Sequence, residues 1–108
     1  NIKWKKEKCM TIVMCAKGYP GKYIKNIILN KVHNLVLSKN EFIYHAGTKK
    51  NNDQLLSSGG RIFNFCSTGN NFFKIRKKII SVMVKLNLKN VFFRKDIGWK
   101  IIDKNENN

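Results

Sequence analysis

One amphipathic pattern in the second half of the chain constrains the fold more than any other feature. Apolar residues recur there at spacings of three and four, which places them on one side of an α-helix; they are Phe72, Ile75, Ile79, Met83 and Leu86. Asn70 precedes the pattern, where an Asn side chain can cap a helix. The positions between them are expected on the outside: Lys74, Lys77, Lys78, Ser81 and Lys85. The pattern predicts one long helix packed against a core.

The first part of the chain predicts a strand followed by a tight loop. Residues 9–16 (CMTIVMCA) are nearly all apolar and include β-branched side chains, which is typical of a central strand covered on both faces. Residues 17–21 (KGYPG) then break the pattern, because Pro removes a backbone donor and glycine permits positive φ. Residues 26–37 contain short apolar runs interrupted by Asn, which predicts irregular structure or a weak strand.

The middle and the end of the chain add further strands. Residues 41–48 (EFIYHAGT) predict a strand, residues 49–54 a polar loop and residues 55–56 the start of a returning strand, which together favour a hairpin. Residues 61–66 predict another strand, and residues 91–102 a final extended segment that returns to the sheet. One long helix among several strands predicts an α+β domain.

Composition excludes several classes of protein. A chain of 108 residues with 43% hydrophobic residues is sufficient for one domain, and no stretch approaches the roughly 18 apolar residues of a membrane span. The first residues lack both Met and an export signal, so we expect a fragment of a soluble, cytoplasmic protein. The cysteines and histidines show neither zinc-site nor disulfide-framework spacing: Cys9, Cys15, Cys66, His33 and His45. No serine or cysteine elbow and no carboxylate pair suggest a catalytic or metal site.

The net charge of +16 makes a nucleic-acid partner an alternative, because lysines and arginines release counterions from phosphates. Only three of the 22 basic residues are arginines, however, and the lysines are scattered among many Asn, Ile and Phe. These residues share AT-rich codons, so we interpret the charge as compositional bias. We therefore expect solvated lysines and no specific binding of nucleic acid.

Four polar stretches combine glycine with a basic residue: KGYPGKY, HAGTK, SGGR and FRKDIGW. Glycine allows a ligand to approach the backbone closely, and backbone N–H groups together with Lys or Arg can hold a phosphate. Ordinary turns with solvated charges are the alternative for each stretch taken alone. These four stretches are the candidate functional regions of the chain.

The order of these stretches resembles that in a known family. The segments VMCAKGYPGKY, FIYHAGTK, GGRIFN with Gly69, and FFRKDIGWK resemble the carboxy-terminal domain of phosphoribosylamine-glycine ligase. The resemblance spans residues 8–103, leaving residues 1–7 as a linker from an upstream region and residues 104–108 as a polar tail. Two segments depart from the family: Cys66-Ser67-Thr68 replaces the usual TAL, and residues 26–40 are rich in Lys and Asn where relatives have a Gly-containing turn.

The resemblance implies an ATP-grasp ligase of purine biosynthesis. In this family ATP phosphorylates glycine, and the amine of 5-phosphoribosylamine attacks the acyl phosphate to form glycinamide ribonucleotide. The domain would be a small β-rich carboxy-terminal module, with a mixed or antiparallel sheet or a barrel-like form, that packs against the upstream ATP-grasp domains and closes the substrate pocket. ATP and Mg²⁺ or Mn²⁺ would bind to those upstream domains and not to this chain, which would be inactive alone.

The resemblance also assigns site residues. By motif position, Lys49 and Arg61 correspond to residues that contact the substrate phosphate in related ligases. The other motif residues would form the pocket or an interface: Gly18, Tyr19, Pro20, Gly21, His45, Gly47, Thr48, Gly59, Gly60, Arg94, Lys95, Asp96 and Gly98. Arg61 as a surface residue beside a turn is the alternative, and an Arg94–Asp96 ion pair could be purely structural. A free-standing basic module that binds nucleic acid nonspecifically and a purely structural remnant are the competing interpretations.

Overall fold

The computed structural model describes residues 6–94, which fold into antiparallel sheets and one α-helix. The elements in chain order are β1 (Lys8–Ala16), a 3-10 helix (Asn30–Asn34), β2 (Glu41–His45), β3 (Thr48–Asn51), β4 (Gln54–Ser57), β5 (Arg61–Gly69), α1 (Phe72–Leu86) and β6 (Val91–Phe92). Four strands form one sheet in the order β2-β5-β1-β6, and β3 pairs with β4 in a second sheet. The predicted α+β class is confirmed, and every strand pair is antiparallel.

Strand β1 lies inside the sheet, between β5 and β6, as its apolar sequence predicted. Its side chains alternate: Met10, Ile12, Met14 and Ala16 are buried, whereas the residues between them are exposed or half-buried. The predicted covering of both faces is therefore wrong for the described residues. The physical reason is that α1 packs on one face of β1 and β5 and no other described element packs on the second face.

The helix has the predicted register. Ile75, Ile79, Met83 and Leu86 are buried, and Phe72 is half-buried against the same core. The predicted outer positions, Lys74, Lys77, Lys78, Ser81 and Lys85, are all exposed. The cap prediction is off by one residue, because Asn71 is the N-cap and its Oδ1 accepts a hydrogen bond from the Lys74 N–H at 2.9 Å. Asn87 ends the helix in the left-handed conformation, at φ 45°.

We expect the substitution Asn71→Ala to destabilise the chain by about 1 kcal/mol, because the Lys74 N–H would lose its side-chain acceptor. Thermal melting of the purified chain measures this loss. Asn70→Ala is the matched control, since Asn70 is exposed outside the helix, and it should change stability by less than about 0.5 kcal/mol. Equal losses for the two variants would contradict the assignment of Asn71 as the cap.

The predicted hairpin is wrong in its partners. Strand β2 pairs with β5 and not with residues 55–56, and most of the predicted loop at residues 49–54 is strand β3. A two-residue turn at Asn52-Asp53 joins β3 to β4, and Asn52 has a φ of 56° that Asn tolerates better than most residues. The polar residues of β3 extend as a strand because their side chains face solvent while β4 buries Leu55 and Leu56.

The Asn-rich segment at residues 26–37 is irregular, as predicted, apart from the 3-10 helix and a single bridge between Ile28 and Leu56. Ile27 and Leu29 are nevertheless buried in the core. Ser57 fixes this segment by accepting a hydrogen bond from the Ile27 N–H at 2.9 Å. The strand predicted at 61–66 continues to Gly69, whereas most of the predicted final segment lies outside the described residues.

Within residues 6–94, no helix is long and apolar enough to span a membrane.

Candidate functional site

Three of the four glycine stretches meet at one pocket of about 380 Å³. Its lining residues come from the β1 turn, the β2–β3 bend and the start of β5: Val13, Tyr19, Ala46, Gly47, Gly59, Gly60, Arg61 and Asn64. Both neighbours of β5 bring these segments together. The Ala16 N–H donates to the Gly60 carbonyl at 2.7 Å, and the Ala46 N–H donates to the Ile62 carbonyl at 2.9 Å.

Gly47 is required because three backbone segments cross at its Cα atom. A Cβ atom there would lie 2.5 Å from the Arg61 carbonyl oxygen and 2.9 Å from the Gly59 Cα atom. The Gly47 carbonyl also accepts a hydrogen bond from the Ser58 N–H at 2.7 Å. The HAGTK and SGGR stretches are therefore in direct backbone contact, which explains a glycine at this position.

The KGYPG loop forms one wall of the pocket through Tyr19. The ring of Tyr19 packs over Gly60, where a Cβ atom would collide with the ring carbons. The turn is closed by the Tyr19 N–H, which donates to the Ala16 carbonyl at 3.0 Å, and Gly18 adopts a φ of 101° that L side chains rarely adopt. Pro20 and Gly21 are exposed at the tip of this loop and do not line the pocket.

Arg61 contributes the positive charge of the pocket. It is the exposed first residue of β5 and lies opposite Cys15, where the β1–β5 register shifts between Met14 and Cys15. Burial raises the pKa of the Cys15 thiol, while the nearby Arg61 guanidinium acts in the opposite direction. The guanidinium is thus close to the thiol and to the pocket, and the pocket is expected to favour anions.

Lys49 and His45 lie beside the pocket, outside its lining. Lys49 is exposed on β3, opposite Leu56. The His45 Nδ1 atom is 2.9 Å from the Thr48 Oγ1 atom, and the His45 ring packs edge-on to Phe63 at 5.1 Å. His45 and Thr48 therefore shape the bend between β2 and β3.

The fourth stretch is described only at its beginning. Arg94 is exposed after β6, and the predicted site residues Lys95, Asp96 and Gly98 lie outside the described residues, as does the predicted Arg94–Asp96 pair. Two pocket residues were not predicted from the sequence, namely Val13 and Asn64. Asn64 carried a signal, because it is the one amide within the apolar run IFNFC.

No group of three or more His, Cys, Asp or Glu side chains in residues 6–94 is arranged to hold a metal ion. Cys9, Cys15 and Cys66 are free thiols. The described part of the chain thus offers an anion pocket formed by glycine backbone, one aromatic ring and one arginine.

A family profile described as "Phosphoribosylglycinamide synthetase, C domain" matches residues 9–100. The chain belongs to this family. The family match includes all four glycine stretches, so the resemblance of their order is confirmed. It also includes the pocket lining, which places the candidate site inside the shared domain.

Similar proteins agree with the family assignment. The phosphoribosylamine-glycine ligase of Escherichia coli O157:H7 is 34% identical over 107 residues, which are 96% of this chain and 24% of the relative. The ligase of Agrobacterium fabrum is 32% identical over 94% of this chain and 24% of its own length. A crystal structure of the Thermotoga maritima ligase matches with a TM-score of 0.65 and 25% identity, over 82% of this chain and 21% of that one. This C-domain chain spans about a quarter of the length of such relatives.

Proposed function

We propose that this domain is part of a phosphoribosylamine-glycine ligase and binds the phosphate of 5-phosphoribosylamine in the pocket at Arg61. The observation that carries the proposal is the convergence of three separate glycine stretches on one pocket with an exposed arginine. The names of the similar proteins supply the activity and the substrates of the complete enzyme.

The chemistry of the pocket suits a phosphate. The planar guanidinium of Arg61 can donate two parallel hydrogen bonds to phosphate oxygens, and the glycines let those oxygens approach the backbone. Within residues 6–94 the structure gives the Arg61 side chain no carboxylate partner. Lys49 is proposed as a second, peripheral contact, because it follows the bend that contributes Ala46 and Gly47 to the lining.

The rest of the reaction is assigned to the ATP-grasp domains. ATP with Mg²⁺ or Mn²⁺ would activate the glycine carboxylate there, because charge on the transferring phosphoryl group must be neutralised. The described residues of this chain have no cluster suited to the metal. The role of this chain is therefore to hold and orient phosphoribosylamine at the pocket wall, in a cytoplasmic enzyme of purine biosynthesis.

We expect the purified 108-residue chain to fold and to form no glycinamide ribonucleotide from ATP, glycine and phosphoribosylamine. The complete ligase that carries this domain should form the product under the same conditions. A product assay on both proteins, with circular dichroism to establish folding of the short chain, measures the difference. Turnover by the pure short chain would contradict the proposed division of roles.

Nonspecific binding of nucleic acid is the alternative function, and it requires basic and aromatic groups on one surface. The helix lysines Lys74, Lys77, Lys78 and Lys85 do line one groove. The stacked pair Phe42 and Tyr44, however, alternates with the core residues of β2 and lies on the side of the sheet opposite α1. This arrangement favours solvated lysines over a binding surface for single strands.

A further inference from the structure

One face of the four-stranded sheet is covered by α1, and the other, here named the open face, is not covered by any described element. The strand register determines which side chains share the open face, because successive residues of a strand point to opposite sides. They are Cys9, Thr11, Val13 and Cys15 on β1, Phe42 and Tyr44 on β2, Arg61, Asn64, Cys66 and Thr68 on β5, and Phe92 on β6.

The open face is aromatic and nearly uncharged. Phe42 and Tyr44 are stacked with ring centroids 6.4 Å apart, yet they remain 41% and 56% exposed, and Phe92 is 39% exposed. Arg61 is the one charged residue of the open face, in a chain with 22 Lys and Arg among 108 residues. Aromatic enrichment and depletion of charge are typical of the buried centre of a protein interface.

The sequence of β1 is consistent with a second covering layer. A nearly continuous apolar run such as CMTIVMCA is typical of a strand buried on both faces. Within residues 6–94 only the α1 side of β1 is buried, so Val13 and Cys15 are half-exposed on the open face. A strand meant to face water on this side would be expected to alternate with charged or strongly polar residues.

We propose that the open face is the docking surface for the remainder of the ligase, and this inference rests on the proposed function. The relatives that match this chain extend far beyond it, because the chain covers only 24% of their length. Val13, Asn64 and Arg61 belong both to the open face and to the lining of the pocket. A partner domain on this face would therefore also wall in the pocket and exclude water from the bound phosphate.

The native thiols make the docking surface directly measurable, since Cys9, Cys15 and Cys66 all lie on the open face. Iodoacetamide labelling, followed residue by residue by mass spectrometry, is compared between the 108-residue chain and the complete ligase that carries it. Cys9 and Cys66 should be labelled at least roughly tenfold more slowly in the complete ligase. Cys15 is a poorer reporter, because burial raises its pKa and so decreases its thiolate fraction.

Val84→Cys is the matched control, because Val84 is 60% exposed on the outside of α1. Its labelling rate should be the same in the chain and in the complete ligase. Equal rates in the two proteins for Cys9 and Cys66 as well would overturn the docking surface.

Tyr44→Lys tests the same surface by adding a charge to it. In the complete ligase this variant should increase the labelling rate of Cys9 and Cys66 by roughly tenfold and lower the ligase activity. Val84→Lys adds the same charge elsewhere and should change neither. Melting of the short chain controls for folding of both variants.

Two other outcomes are distinct from this one. A short chain that dimerises in light scattering, loses the dimer on Tyr44→Lys and shows no added protection in the complete ligase would make a second copy the occupant and overturn the proposal. Protection of Cys9 and Cys66 with normal kinetics of Arg61→Ala would instead support the docking surface and contradict the phosphate assignment.

Discussion

Arg61→Ala in the complete ligase should lower kcat/KM for phosphoribosylamine by roughly ten- to a hundredfold. A hydrogen bond between charged groups contributes about 1.5 to 3 kcal/mol, and the variant removes the one charged side chain that lines the pocket. The apparent affinities for ATP and glycine should change little, because the proposal assigns their sites to the upstream domains. Steady-state kinetics with each substrate varied in turn measures both effects.

Three controls make this result specific. Arg61→Lys keeps the charge but loses the planar pair of donors, so it should restore only part of the activity. Lys39→Ala removes an exposed charge from the turn before β2 and should leave the kinetics unchanged. A folded Arg61→Ala enzyme with an unaltered dependence on phosphoribosylamine would remove Arg61 from the site, because a surface substitution changes the free energy by only about 0.5 kcal/mol.

Gly47→Ala should destabilise the chain by about 2 to 3 kcal/mol, the largest stability effect expected at the pocket. The added Cβ atom would lie 2.5 Å from the Arg61 carbonyl oxygen and 2.9 Å from the Gly59 N and Cα atoms. All three are backbone atoms, so the crossing segments must move apart, and overpacking of this kind typically costs about 1 to 3 kcal/mol. Thermal unfolding should show a midpoint lower by roughly 10 °C for a chain of this size.

Gly59→Ala is the matched control, because it adds the same methyl group to the facing glycine. The nearest atoms to its Cβ would be 3.6 and 3.9 Å away, which is ordinary van der Waals contact. This variant should therefore keep its melting midpoint within a few degrees of the parent. Equal stability of the two variants would contradict the close backbone crossing at Gly47.

The helix and the interior strand were predictable because their signals are local. The spacing of Ile75, Ile79 and Met83 identifies a buried helix face wherever the helix packs, and the apolar run of β1 identifies an interior strand. The cap was displaced by one residue because Asn70 and Asn71 are both good capping residues, and only backbone conformation selects between them.

Strand partners were not predictable in the same way. The apolar residues of β2 fit either a hairpin with residues 55–56 or pairing with β5, and the structure pairs Ile43 with Phe65. That choice depends on contacts between residues far apart in sequence. It also depends on the positive φ of Asn52, which closes the separate β3–β4 hairpin.

Local sequence was sufficient to define the element types, the buried side of α1, the family and the glycine stretches that hold the candidate site. Their convergence could be established only in the folded chain, because the pairing of β5 with both β1 and β2 carries Tyr19 and Gly47 to Arg61. The same pairing admits Val13 and Asn64 to the pocket and excludes Lys49, although Lys49 is only two residues from Gly47. Side-chain direction in a strand depends on register, and register is set by the tertiary contacts of the whole sheet.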